Sequence, residues 1–96
     1  MLLGEVVGTV VSTHKDQELE GIKFLLVQYV GSDGKKTPGV VICADAVGAG
    51  RGEWVLVAAG SSARQTKLTK DRPVDHVIMA IVDEVELGGQ ITYRKE

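Results

Sequence analysis

The chain is expected to be mainly β, a compact barrel of five or six short strands with one brief helix, related to the OB type. Three observations predict this. Short β-branched runs such as Glu5–Ser12 (EVVGTVVS) and Gly39–Ala44 (GVVICA) lie between polar or glycine-containing turns. Only one late segment carries a helical period. No internal repeat or linker interrupts the 96 residues, so one domain over 1–96 is expected.

The first strand is placed at Glu5–Ser12, where Gly8 permits a bend or bulge. Thr13–Gly21 (THKDQELEG) is a charged loop. Ile22–Val30 (IKFLLVQYV) is apolar on both faces apart from Lys23 and Gln28, which predicts a strand buried on each side. Ser32-Asp33-Gly34-Lys35 is a turn signal leading to the return strand Gly39–Ala44, a hairpin with a longer than minimal loop. After the glycine turn Gly48–Gly52 comes the strand Trp54–Ala59, then a second turn, Gly60–Arg64 (GSSAR). Ser61–Arg72 is polar, with Lys67, Lys70 and Arg72 close together.

Val74, Val77, Ile78 and Ile81 fall at i, i+3, i+4 and i+7, one face of a helix. Asp71 is placed to cap it, Pro73 suits its first turn, and Asp75 favours the positive end of its dipole. The helix must be short, because Ile81–Leu87 (IVDEVEL) alternates as a strand does. Gly88-Gly89 then turns the chain into Gln90–Arg94, a closing hairpin.

A chain this short buries only about 60–65% of its unfolded surface, so intrinsic stability is modest. Its 44% hydrophobic content includes only four aromatics, Phe24, Tyr29, Trp54 and Tyr93. The surplus of Val, Ile, Leu and Ala suits strands and flat subunit contacts, and so points to an oligomer. The net charge of −2 supplies no electrostatic footprint for nucleic acid or an acidic membrane. One cysteine, Cys43, makes no internal disulfide. The opening MLLGEVVG lacks a basic region and is interrupted by Glu5, unlike a signal peptide, and no run reaches the length of a membrane span. A soluble cytoplasmic domain is expected.

Candidate chemistry is sparse. Gly48-Ala49-Gly50-Arg51-Gly52 superficially resembles a phosphate-binding glycine loop, but a strand follows it where a dinucleotide site requires a helix. Ser61 and Ser62 have no base or orienting acid placed beside them; their hydroxyls are expected to satisfy the turn. Cys43 reads as a small buried side chain, and a Cys43–His76 pair has no local signature. Two distant histidines and one cysteine make no metal set. Asp83, Glu84 and Glu86 alternate with apolar residues as on a half-exposed strand. No catalytic, cofactor-binding or metal-ligating residue is therefore assigned, and no cofactor. The rival reading for an OB-like barrel is a nucleic-acid or ligand-binding module. Its basic groove with interleaved aromatics is missing here, Lys35-Lys36 being a hairpin tip.

Several blocks together resemble the EutN/CcmL family of bacterial microcompartment and carboxysome vertex proteins. They are MLLGEVVGTVVST at the start, Leu19–Gln28 (LEGIKFLLVQ), Asp45–Gly50 (DAVGAG) with Gly52–Val55 (GEWV), Gly60–Arg64, and Pro73-Val74-Asp75 leading to Ile81-Val82-Asp83. The tip Ser32–Thr37 and the last residues are individual. The resemblance implies a small five-stranded OB-like β-barrel with one short α-helix and an extra β-hairpin. It also implies a structural shell protein rather than an enzyme: a homopentamer that caps vertices among hexameric shell proteins, with no nucleic acid or membrane partner. Gly60, Ser61, Ser62 and Ala63 are then expected near the five-fold axis, where small residues crowd without clash. Gly48, Ala49, Gly50 and Arg64 are expected at the subunit interface, with the Arg64 fork bridging to a neighbour.

Overall fold

The computed structural model describes residues 1–96. Seven strands form: β1 (Leu2–Val10), β2 (Phe24–Val30), β3 (Lys36–Asp45), β4 (Trp54–Ala59), β5 (His76–Ile81), β6 (Glu84–Leu87) and β7 (Gln90–Arg94). The first five close into a barrel in the order β1-β2-β3-β5-β4, while β6 and β7 form a separate two-stranded sheet. The expected barrel and extra hairpin are both present.

Side chains that alternate inward fill the barrel, as a small closed barrel requires. Val6, Leu25, Val27, Cys43, Val55, Val57 and Ile78 form this inner core. A second cluster lies outside the barrel wall: Ala44, Ala58 and Val77 are covered by Ile22, Ala63 and Val74. This explains the two apolar faces of the second strand. Leu25 and Val27 point into the inner core, and Phe24 packs on the second cluster. A register shift between Val6 and Gly8 bends β1, at the glycine where a bulge was expected. Gly4 allows close approach of β2, since a Cβ there would collide with Val27 Cγ1.

The expected helix over Val74–Ile81 is instead largely β5, which ladders antiparallel to β4 from Val55↔Ile81 to Ala59↔His76. Its other edge meets β3 in a short parallel ladder, Ala44↔Val77 and Asp45↔Ile78. The i, i+3, i+4 spacing misleads because both faces of this strand are covered. Ile78 enters the inner core and Val77 the outer one, so apolar residues occur without period-two alternation. The apparent cap signals serve a turn: Asp71 adopts φ 58°, and the Arg72 N–H donates to Thr69 O at 3.0 Å. The helical content consists of two 3₁₀ turns elsewhere, Gln17–Leu19 and Gly60–Arg64. No helix is long and apolar enough to cross a membrane.

Candidate functional site: the glycine loops of β4 and their surroundings

Both loops flanking β4 are rigidly built. Before β4, the buried Asp45 carboxylate accepts from the N–H groups of Val47, Gly48 and Ala49 at 3.1, 3.0 and 3.2 Å. Three donors on one oxygen close a tight turn, with Gly48 at φ 78°. That turn drives the Ala49 methyl into the inner core. Glu53 then reaches back, its Oε1 accepting from Gly50 N at 2.6 Å. The Gly52 N–H donates to Val6 O at 2.8 Å, which pins the loop to β1.

Glu53 also joins this loop to the end of the chain. Its Oε2 lies 2.7 Å from Lys95 Nζ. The hydrogen bonds from Lys95 and then from Gly50 hold the Glu53 carboxyl below the usual range, while the bond to Glu53 raises Lys95. Alongside, Trp54 and Tyr93 stack with centroids 4.2 Å apart and ring planes 13° apart. Sequence reasoning missed Asp45, Glu53 and Tyr93 as the fasteners here. An Asp three residues ahead of a glycine is the one local signal that points to such a turn.

After β4, Gly60 turns at φ 66° and its N–H donates to Asp75 O at 2.8 Å. Ser61 and Ser62 are exposed, whereas Ala63 is fully buried in the outer cluster. Ala63 O accepts from the buried Thr69 hydroxyl at 2.6 Å, and Thr69 Oγ1 lies 2.6 Å from Thr66 Oγ1. The half-buried Arg64 donates through Nη1 to Val74 O at 3.1 Å. Of the four residues expected near an axis, Gly60, Ser61 and Ser62 therefore face outward and Ala63 supports them from beneath.

The other candidates lie apart. His76 Nδ1 is 3.0 Å from Asp75 Oδ1, and neither loop serine is hydrogen-bonded to a histidine. Burial, with the Asp75 carboxylate adding to it, pushes the Cys43 thiol up to about 12, so it stays protonated and unreactive at neutral pH. No group of three or more His, Cys, Asp or Glu residues is placed to hold a metal ion. What the surface does offer is apolar side chains without cover: Leu2, Val11, Val40, Ile42, Leu87 and Ile91 are all exposed. Such a surface is suited to packing rather than chemistry.

A family model described as "Ethanolamine utilisation protein EutN/carboxysome" matches residues 1–83. The "Carboxysome shell vertex protein CcmL" of Thermosynechococcus vestitus is 45% identical, over 99% of this chain and 96% of its own length. The solved "Structure of Gloeobacter violaceus CcmL" superposes with a TM-score of 0.94 at 44% identity, covering 99% of this chain and 98% of the other. The "GrpN pentameric microcompartment shell protein from Rhodospirillum rubrum" gives 0.82 at 42% identity, covering 91% and 100%. The likeness spans the barrel and both glycine loops and, in the two CcmL relatives, which cover 99% of this chain, the hairpin as well. The chain belongs to the EutN/CcmL family.

Proposed function

We propose that this chain is a structural, non-catalytic shell component that assembles as a homopentamer and caps the vertices of a bacterial microcompartment. The observation that carries this is likeness along almost the whole chain to proteins named as shell vertex proteins, one solved relative being named pentameric. A flat sheet of six-fold tiles cannot close into a polyhedron, and five-fold units at the corners supply the missing curvature. Hexameric shell proteins are the partners this role requires, and the shell of an organelle in the bacterial cytoplasm is its place. Residues 1–96 act as one vertex domain.

A ring needs two different surfaces of each copy to meet, with a rotation that closes. The exposed apolar side chains supply area for such contacts beyond a thin core. In this reading Gly60, Ser61 and Ser62 approach the axis, held up by Ala63. The Gly48–Gly50 turn and Arg64 approach a neighbour, the first through its backbone because the Ala49 methyl is committed to the core. Native mass spectrometry of the purified protein tests the proposal. A dominant five-chain species that binds hexameric shell tiles is the expected result. A monomer at micromolar concentration refutes it.

A further inference from the structure

We propose that an apolar cleft at the end of β1 binds a small amphiphilic anion, a straight-chain carboxylate. Val10, Val11, Ile22 and Phe24 line this cleft of about 350 Å³, together with Lys15 and Lys23. The cleft exists because the charged segment 13–21 is tied down on both sides. The Asp16 carboxylate accepts from Glu18 N at 2.8 Å and starts the 3₁₀ turn Gln17–Leu19. Leu19 packs on the outer cluster, and the Ile22 N–H donates to Leu19 O at 3.3 Å. Arg72 donates through Nη1 to Glu20 O at 2.6 Å, which fastens the segment to the turn before β5. A wall of hydrocarbon is thereby held open beside the end of β1.

The lining selects the chemistry of the occupant. Lys15 and Lys23 are exposed, and neither forms a salt bridge. No acid lines the cleft, and the hydroxyl of its one serine, Ser12, already donates to His14 O at 2.9 Å. An ammonium offers donors and no acceptor, so the occupant must bring acceptor oxygens and negative charge. A carboxylate does both, and its bonds to an ammonium are the shorter, charge-assisted kind. The apolar wall takes the chain behind that head group. At about 350 Å³ the cleft lies at the low end of small-ligand sites, roughly 300–1,000 Å³, and suits a chain of about six to eight carbons. None of the lining residues belongs to the glycine loops, so this ligand does not depend on the ring proposed above.

The test is calorimetric titration of the wild-type protein with hexanoate, heptanoate and octanoate at neutral pH, with amide NMR shifts to locate the site. The expected result is one carboxylate per chain, with the shifts centred on Val10, Val11, Lys23 and Phe24. Each added methylene should tighten binding about fourfold. Lys15→Glu with Lys23→Glu changes only exposed side chains, and circular dichroism should show it folded. That variant should lose octanoate and take up octylammonium instead. Equal affinity of the wild type for octanoate and octylammonium, a flat chain-length series, or shifts centred elsewhere overturns the proposal. A Glu-Leu-Leu amide that binds in the cleft where octanoate does not assigns it to a protein segment and overturns the small ligand. Binding that appears only after dilution to single chains shows a second copy filling the cleft, and overturns it likewise.

Discussion

At the residue scale, single polar atoms hold the loops. Asp45→Ala removes the acceptor shared by three backbone N–H groups and leaves donors unsatisfied. It should cost about 1–3 kcal/mol in urea unfolding. Gly4→Ala forces a methyl against Val27 Cγ1, and overpacking of this kind costs about 1–3 kcal/mol, read as a lower melting temperature. Cys43 gives a pH prediction. Its folded-state pKa is raised to about 12. The unfolded thiol ionises near about 8.5, so the unfolded chain holds fewer protons above that pH. The contribution of the protonated thiol is therefore complete below the unfolded value and is lost as pH rises toward the folded one. Urea midpoints should fall through this alkaline window in the wild type and fall less in Cys43→Ala. The small buried cysteine was legible from its mid-strand position. Asp45 was not, because nothing in sequence separates an acid that closes a turn from one that faces water.

At the scale of elements, β4 and β7 begin and end where the sequence places them, since a glycine turn precedes each and a change to polar residues follows. β5 was hidden by burial on both faces, which removes the alternation that identifies a strand. The hairpin was legible, but its anchor was not: Trp54 and Tyr93 are far apart in sequence, and stacking leaves no local pattern. Tyr93→Ala should free that anchor, at about 0.5–1.5 kcal/mol beyond the lost area. Amides of Gln90–Arg94 should then exchange faster while Leu25, Val27 and Ile78 stay protected, which hydrogen exchange resolves residue by residue. The Glu53–Lys95 pair acts on the same root with a defined sign. The depressed Glu53 pKa contributes stability that is present above the unfolded carboxyl value and lost as pH falls through the folded one. Protection of the hairpin root should accordingly weaken in acid before that of the barrel.

At the scale of the whole molecule, the barrel and extra hairpin were legible because strand breaks and glycine turns punctuate the chain. The assembly surface was legible only as an excess of aliphatic residues, since solvent exposure is a property of the fold. Arg64→Glu should abolish the ring seen by native mass spectrometry. Circular dichroism should show a folded chain that has lost one bond to Val74 O. An intact ring in that variant removes Arg64 from the interface. The topology has a kinetic consequence as well. The barrel shuts through β1 with β4 and through β3 with β5, ladders that join distant stretches of chain. Such non-local pairing places folding in the slow range of about milliseconds to seconds. Until those last ladders form, no copy has a finished wall to offer another. Production of shell corners therefore waits on the closing of single chains as well as on their collision.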